Sequence, residues 1–462
     1  MPDEDLAQRI ERLRQLAEAA AQRASARVHL TRDLRLQPTT DEPEQAYQDD
    51  AHEAIPIERL LTGQIVSAGG TSCFVRDSVL SIDHQHGRWP LGTALDARSA
   101  ELTWLSQPTP VLTGSLQGAL FLDVETTGLA GGTGTFAFLV GAAWFDDRNL
   151  VLAQYLMRSP DEEPALLAEL AAKARASELV VTFNGKAFDV PLLETRYTLQ
   201  RQRSPFPADH LDLLAAARRI WRLRLNSCRL ANLEQAVLGV RRWDDVPGAL
   251  IPDLYTDYLR SGDGRCLTPV FDHNALDVLS LVTLAGRLAQ LHRDPWQALA
   301  DDPLDLLSLG RSFDHGRAAR RASDYAPAVP SEDGADCSRP VDSPAATSAD
   351  FSQWCYEQAL AAGITGRPRE LAHLRIAAFA KRRGDFGAAQ QAWLLLAEAA
   401  GDAAIRQTAL VELAKVAEHR ERDPAAALRF VEQALGLHNG ADKPAALLHR
   451  ANRLRRKMST VV

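Results

Sequence analysis

The feature that most restricts the fold is a series of apolar segments that begins at residue 119. Three of them follow one another with short turns between them: ALFLDVE (119–125), FAFLVGAAWF (136–145) and NLVLAQYLM (149–157). After these, strand-like segments at 179–184 and 210–212 alternate with amphipathic, helix-like segments. Sequential strands followed by alternating strands and helices predict one mixed α/β sheet flanked by helices.

The rest of the chain separates into segments of different composition. The predicted segments are an N-terminal helix (1–30), a linker (31–54), a small strand-rich segment (55–115), the α/β domain (116–295), a first repeat helix (302–315), a disordered insertion (316–349) and helical repeats (350–462). The insertion is rich in Ala, Ser, Asp and Pro and contains almost no large apolar residue, which is typical of disorder. In the last segment YEQAL, LLAEA and VEQAL recur with gaps of 39 and 36 residues. Such periods predict tetratricopeptide-like helix pairs.

Composition excludes several classes of protein. The 462 residues are 46% hydrophobic and 24% charged, which excludes collagen-like, disulfide-scaffold and mostly disordered chains. The net charge of −8 excludes a bulk nucleic-acid coat protein. Five cysteines without a C-x-x-C pair favour a reducing, cytoplasmic location. A long uncharged stretch, 127–145, contains five glycines, so no membrane span is predicted.

Two carboxylates stand near the end of the first strand of the series, in FLDVETTGL (121–129). Asp123 and Glu125 are two residues apart, so their side chains leave the same face of the strand. Neighbouring carboxylates repel each other and resist burial unless a cation lies between them. Oxygen ligands of this kind suit Mg²⁺ or Mn²⁺. The alternative is an acidic strand end that frays into solvent.

A second group of polar residues follows the fourth strand, in TFNGKAFDVPLL (182–193). The strand ends at Asn184, and Asp189 opens a helix. The alternative for Asp189 is a simple helix N-cap. Asp212, which precedes the later helix LLAAARR, is interpreted as a helix cap rather than as a further ligand.

A third group lies on a late helix, in FDHNALDVLSLVTL (271–284). His273 and Asp277 are one turn apart and therefore share a face of this helix. Several leucines on the same helix supply its packing surface. The alternative for His273 and Asp277 is an exposed ion pair.

The three motifs, in their order along the chain, resemble those of the DEDD superfamily of 3′–5′ exonucleases, whose fold is ribonuclease-H-like. They are D-V-E-T-T-G-L on the first strand, N-G-x-x-F-D after the fourth strand and H-N-x-x-D on the late helix. The likeness covers about 118–292. With its flanking segments C-F-V-R…D-H-Q-H-G and V-P-G-x-x-I-P, the chain is similar to the YprB-type ribonuclease-H-like proteins, a bacterial group with C-terminal tetratricopeptide-like repeats. The expected fold is therefore an α/β, ribonuclease-H-like domain followed by an all-α repeat domain.

The resemblance implies chemical roles for the residues of the three motifs. Asp123, Glu125, Asp189 and Asp277 would hold two divalent cations, Mg²⁺ or Mn²⁺, in a two-metal mechanism. His273 would act as a general base or orient the attacking water. Three residues separate it from Asp277, which is the spacing of the tyrosine subgroup, whereas the histidine subgroup has four. A histidine thus takes the position of a tyrosine and approaches the metal site from a different point on the helix.

The resemblance also implies contacts with a substrate. The backbone around Thr126 and Gly128 would approach the terminal nucleotide, and Leu129 would wedge against a base. Asn184 would contact the substrate or hold Asp189.

A basic stretch follows the second motif. Residues 196–242 contain ten arginines and three acids, a local charge of +7. Arg218 and Arg222 are clustered beside Trp221, and such groups bind phosphates and stack on bases. Lys186 is a further candidate for phosphate contact. The alternative is a solvated helical face around a core tryptophan.

Two functions from different classes remain open. The first is a metal-dependent nuclease that trims single-stranded DNA or RNA from the 3′ end. The second is a non-catalytic nucleic-acid-binding adaptor whose repeats recruit a protein partner. Endonucleolytic cleavage within the same fold is a third, because fold alone does not decide function. The presence of all four carboxylates favours a nuclease, and the spacing of the later motifs favours the exonuclease branch.

Overall fold

The computed structural model describes residues 53–97, 99–106, 112–128, 133–243, 245–293, 302–315, 348–438 and 444–459. The predicted N-terminal helix and all but two residues each of the predicted linker and insertion lie outside these ranges. The chain divides into two compact units. Among the described residues, the sheet unit comprises those within 53–214 and 229–287, and the helical unit those within 215–228 and 288–459.

The sheet unit is built on a seven-stranded mixed sheet. The strands of this unit are β1 (Gln64–Ala68), β2 (Thr71–Ser81), β3 (Gln85–His86), β4 (Trp89–Pro90), β5 (Ala119–Thr126), β6 (Ala137–Asp146), β7 (Asn149–Leu156), β8 (Leu179–Thr182) and β9 (His210–Asp212). Their order across the sheet is β1-β2-β7-β6-β5-β8-β9, and β3 pairs with β4 separately. The β5–β8 and β8–β9 pairs are parallel and the others are antiparallel. The predicted mixed α/β sheet is confirmed, with all five predicted strands.

The hairpin β1–β2 extends this sheet beyond the strands that the sequence placed in it. β2 pairs with β7 from Phe74 to Ser81. Only three consecutive residues of β2 are buried, and the rest alternate between half-buried and exposed. Such a pattern predicts a strand but does not say which sheet the strand joins.

Helices pack against the sheet and enclose the core of this unit. They are α1 (Ile57–Leu60), α2 (Ser99–Ser106), α3 (Glu163–Arg175), α4 (Asp189–Leu199), α6 (Leu230–Leu233), α7 (Ile251–Ser261) and α8 (Thr268–Arg293), whereas all of α5 (Leu213–Trp221) after Leu214 belongs to the helical unit. One buried apolar cluster joins the sheet to α3, α4, α7 and the start of α8. Within it, Phe138 of β6 stacks on Tyr255 of α7 with 4.0 Å between ring centroids. The sheet therefore holds these helices through a shared core.

Helix α8 crosses the sheet above one row of paired residues. Arg76, Gln154, Gly141 and Asp123 stand in register across β2, β7, β6 and β5. Asn274 of α8 accepts a hydrogen bond from Gln154 Nε2 (3.1 Å) and donates one to the Asp123 carboxylate (3.0 Å). Gly141 lies against it, and a Cβ at this position would be 2.2 Å from Asn274 Oδ1. The row thus fixes α8 over the middle of the sheet.

The helical unit consists of successive helices that pack on one another. They are α9 (Pro303–His315), α10 (Ser348–Ala361), α11 (Gly366–Arg382), α12 (Phe386–Ala399), α13 (Ala403–Val416), α14 (Pro424–Gly436) and α15 (Ala445–Ser459). Three of these helices begin after an aspartate whose carboxylate accepts backbone N–H bonds: Asp385, Asp402 and Asp423. The predicted helical C-terminal region is confirmed, and its assignment to tetratricopeptide-like repeats stays a prediction. None of the helices in the described ranges is both long and apolar enough to cross a bilayer.

We expect Gly141→Ala to destabilise the sheet unit. The added methyl group would collide with Asn274 Oδ1 and with a Val278 methyl group at 2.8 Å, so α8 would have to move away from the sheet. Overpacking of this kind lowers the free energy of unfolding by about 1–3 kcal/mol. Denaturant unfolding followed by tryptophan fluorescence measures the change. Gly248→Ala is the control, because a Cβ there meets nothing within 4 Å; equal stability of the two variants would contradict the close packing.

Candidate metal centre

The first two carboxylates lie toward the C-terminal end of strand β5, in the interior of the sheet. Asp123 and Glu125 are half-buried and pair with Gly141 and Leu139 of β6. The two side chains leave the same face of the strand, as predicted. The alternative of a frayed strand end is wrong, because the pairing with β6 continues to Thr126.

Helix α8 brings His273 and Asp277 to the same place. Their side chains are 13% and 16% exposed, and His273 Nε2 lies 3.6 Å from Asp277 Oδ2. Ligand atoms of these two residues and of Glu125 all lie within 4.8 Å of one another. The alternative of an exposed ion pair is therefore wrong, since the pair faces the β5 carboxylates.

Asp189 enters the centre from the first turn of α4. It is the first residue of this helix, while the N-cap position is Phe188, which makes no side-chain cap hydrogen bond. Gly185 packs close to it, and a Cβ on Gly185 would be 2.7 Å from Asp189 Oδ2. The N-cap alternative for Asp189 is wrong, and the charges of Asp212 and then Asp277 add to the effect of burial in raising the pKa of its carboxyl group.

Asp212 holds the loop that precedes α4. Its carboxylate accepts N–H bonds from Asn184 (2.8 Å), Lys186 (3.2 Å) and Leu214 (3.0 Å). Asn184 has a φ of +68°, in the left-handed region that asparagine tolerates better than most residues. Asp212 therefore caps the start of α5, as predicted, and in addition fixes the loop that carries Asn184 and Lys186.

Burial and the closeness of other charges raise the pKa values of the four carboxylates. Burial, and then the charges of Asp277, Glu125 and Asp189, raise the pKa of Asp123 well above its usual value. Burial raises the pKa of Glu125 and of Asp189 to about 7. It also raises the pKa of Asp277, although the nearby charge of Arg242 opposes this. Half-buried carboxylates that repel one another fit hard divalent cations such as Mg²⁺ or Mn²⁺, because a cation would stabilise their charged forms.

Arg242 belongs to the basic stretch of the sequence, but its side chain points into the centre. It pairs with Glu234 (2.6 Å), with Asp245 (3.0 Å) and with Asp277. Its Nη1 also lies 3.2 Å from His273 Nδ1. Sequence reasoning missed this role, because nothing in the run R-R-W-D-D distinguishes an inward arginine from its neighbours. The guanidinium offsets part of the negative charge of the centre.

Asp245 is a second residue that the sequence analysis missed. Its Oδ1 lies 2.7 Å from His273 Nδ1. Burial alone would raise the pKa of Asp245, but the hydrogen bonds and charges of His273 and Arg242 outweigh it and lower the pKa. Burial likewise lowers the pKa of His273, but the bond to Asp245 and the charges of Asp277 and Glu125 outweigh it and raise the pKa. A carboxylate partner on Nδ1 orients the ring so that Nε2 faces Asp277.

The residues expected to contact a nucleotide follow β5 and β8. Thr126 Oγ1 donates to the carbonyl oxygen of Gly128 (3.0 Å), which folds the chain back after β5. A Cβ on Gly128 would meet nothing within 4 Å, so the backbone there is open to approach. Lys186 is exposed, and Leu129 lies outside the described residues. Contacts of these residues with a substrate stay predictions.

The ten arginines of the basic stretch do not form one surface. Arg196 is buried in a pair with Glu163 (2.5 Å), and Arg242 belongs to the centre. Arg218 and Arg222 are exposed, and both belong to the helical unit rather than to the sheet unit. Their contact with phosphate stays a prediction.

Two comparisons with known proteins agree with the fold. Residues 120–289 match the family described as the RNase_H superfamily, and all four carboxylates lie in this range. A protein of Bacillus subtilis (strain 168), named uncharacterized protein YprB, is 35% identical over 215 residues, or 46% of this chain. The chain spans about half the length of that relative, 52%. Residues 120–289 are thus similar to ribonuclease H superfamily domains, and their mixed sheet flanked by helices is a ribonuclease-H-like fold.

Proposed function

We propose that this protein is a metal-dependent nuclease that hydrolyses phosphodiester bonds of single-stranded DNA or RNA from the 3′ end. The observation that carries the proposal is the convergence of Asp123, Glu125, Asp189 and Asp277, half-buried and with raised pKa values. Ribonuclease-H-like domains are usually nucleases and usually bind divalent metals. The order and spacing of the three motifs support the DEDD exonuclease type.

In this proposal each residue of the centre has a defined task. The four carboxylates hold two divalent cations, Mg²⁺ or Mn²⁺, which when bound would activate a water and stabilise the departing oxygen. Asn274 orients Asp123 by its 3.0 Å hydrogen bond. His273 presents Nε2 to take a proton from the attacking water. Asp245 is a positioning residue, because it acts through Nδ1 of the histidine.

The alternative function, a non-catalytic adaptor, has less support. Crowded carboxylates repel a phosphate backbone, so a module that only binds nucleic acid gains nothing from them. Neither comparison names a protein partner for the C-terminal helices. Binding without hydrolysis is nevertheless the outcome that would favour the adaptor.

We expect the purified protein to shorten 5′-labelled single-stranded DNA or RNA into a ladder that recedes from the 3′ end. Hydrolysis should require Mg²⁺ or Mn²⁺ and stop with EDTA. Asp123→Ala and Asp189→Ala should each lower the rate by about 10³-fold or more, since they remove members of one catalytic set. Gel analysis of 5′- and 3′-labelled oligonucleotides measures both rate and direction.

Asp257→Asn is the matched control, because Asp257 is an exposed carboxylate on α7. It should leave the rate unchanged. Metal-dependent internal cuts would identify an endonuclease. The absence of any product from DNA and RNA with both metals would sink the nuclease proposal.

Asp245→Asn should lower kcat by about 10–100-fold, the usual effect of losing the partner that orients a catalytic or ligating histidine. Asp245 bonds to His273 and Arg242 and to none of the four proposed metal ligands. Mn²⁺ should therefore still raise the melting temperature of the variant. The pH profile of kcat should also shift, since the charge next to His273 is removed. Equal loss of activity and of metal stabilisation would show a structural role instead.

The stability of the metal-free protein should depend on pH. The pKa of Glu125 rises from 4.5 and that of Asp189 from 3.8, each to about 7, on folding. The folded state therefore binds more protons, so its stability should fall as pH rises from about 4 through 7. Added Mg²⁺ or Mn²⁺ should raise the melting temperature more at pH 8 than at pH 6.

Thermal denaturation at pH 6 and pH 8, in EDTA and with each metal, measures how far the metal raises the melting temperature. In EDTA at pH 8, Asp189→Asn should melt above the unmodified protein, because it removes a repelling charge, and should respond less to metal. A metal effect of the same size at pH 6 and pH 8 would contradict the raised pKa values.

A further inference from the structure

The last helix of the helical unit is strongly basic. α15 carries five cations and no acid: Arg450, Arg453, Arg455, Arg456 and Lys457. In a chain with a net charge of −8, this concentration of positive charge is a local exception. It follows that α15 has a surface charge opposite to that of the chain as a whole.

Three of these cations share one buried carboxylate. Glu418 accepts hydrogen bonds from Arg450 Nη1 (3.0 Å), Arg453 Nη2 (2.5 Å) and Lys457 Nζ (2.7 Å). Burial would raise the pKa of Glu418, but the bond from Lys457 and the charges of Arg453 and Lys457 outweigh it and lower the pKa. One negative charge thus holds three positive groups in place and leaves them with a net positive charge.

Arg453, Lys457 and Glu418 also line an open groove of about 750 Å³. Arg422 contributes to the lining from the turn before α14, and Arg453, Arg456 and Lys457 contribute from α15. Apolar surface comes from Pro424 and Met458, while Glu418 is the single acid of the lining. A groove of this size lies within the range of ligand sites, about 300–1,000 Å³. Its cations suit a polyanion, and Pro424 and Met458 offer apolar surface to a flat ring.

We propose that this groove binds the phosphate backbone of single-stranded nucleic acid, as a second contact separate from the metal centre. Three of its four cations are arginines, whose planar forks bind phosphate oxygens in pairs and stack on bases. The choice of nucleic acid as the polyanion rests on the function proposed above. A second contact on the same chain raises the effective concentration of substrate for the sheet unit.

Nucleic-acid binding by the groove would give the helical unit a role that does not need the protein partner predicted for the repeats. A partner protein with an acidic segment would offer carboxylates to the same arginines, so this alternative is an outcome of the test. Nucleic acid is favoured because it carries one charge on every nucleotide together with a flat ring, which matches cations beside apolar side chains.

The test uses the full chain in EDTA, so that hydrolysis is suppressed, with a fluorescein-labelled 20-nucleotide single-stranded DNA. The variant is Arg422→Asn with Arg456→Gln, since neither residue is among the three that hold Glu418. Asparagine suits position 422, where φ is +55°. Fluorescence anisotropy at several salt concentrations gives Kd and its salt dependence.

We expect the variant to bind about tenfold more weakly at 0.1 M salt. The slope of log K against log salt should fall by about 1.4, or about 0.7 for each lost phosphate contact. Arg369→Gln with Arg383→Gln is the matched control, because both residues are exposed on or beside α11, away from the groove lining. The control should change neither quantity, and thermal melts should show that both variants fold.

Unchanged affinity in the groove variant, or no binding by the unmodified chain, would overturn the proposal. Poly-glutamate that competes as well as an oligonucleotide of equal charge would also overturn it, in favour of an acidic protein partner. Failure of the proposed nuclease function is a separate result, because it would appear as no hydrolysis by the unmodified protein. The groove variant should still hydrolyse a four-nucleotide substrate at the unmodified rate.

Discussion

The geometry of the candidate metal centre depends on the hydrogen bonds of Asn274. Its side chain is buried between α8 and the sheet, donates to Asp123 and accepts from Gln154. Leaving a buried polar group unpaired costs about 1–3 kcal/mol, so α8 has one favoured position along the sheet. Gly141 provides the space for this approach. The histidine and aspartate that flank Asn274 on α8 are thereby held over the carboxylates of β5.

Charge and burial oppose each other in this centre. Burial raises the pKa values of the four half-buried carboxylates, repulsion from Asp277 adds to the rise at Asp123, Glu125 and Asp189, and Arg242 supplies a fixed positive charge beside Asp277. The arginine is itself held by buried Glu234, which also accepts a hydrogen bond from Ser280 (2.6 Å). One guanidinium shared among several acids offsets only part of their charge. The remaining repulsion is what a divalent cation would relieve, so instability of the metal-free centre and metal affinity have the same origin.

A metal-dependent nuclease needs acidic side chains to hold metal ions and basic side chains to hold phosphates. These side chains neutralise each other's charge when they are adjacent. Arg242 and Asp277 show this outcome within the centre. The proposed groove limits this neutralisation, because its four cations lie on α15 and in the turn before α14, and buried Glu418 is the single acid of the lining. The net charge of −8 therefore describes neither the centre nor the groove.

The strands of the sheet and the main residues of the candidate centre are predictable from the sequence. Strands β5 to β9, the start of α4 at Asp189 and the shared face of His273 and Asp277 follow from periodicity and spacing, which are local properties. The sequence does not predict that the hairpin β1–β2 joins the sheet, that Arg242 turns inward or that Asp245 pairs with His273, and these contacts appear only in the folded chain. Those contacts join residues 28 or more positions apart. An arginine or aspartate has the same sequence signature whether it faces water or a buried partner, so burial and pairing had to come from the fold.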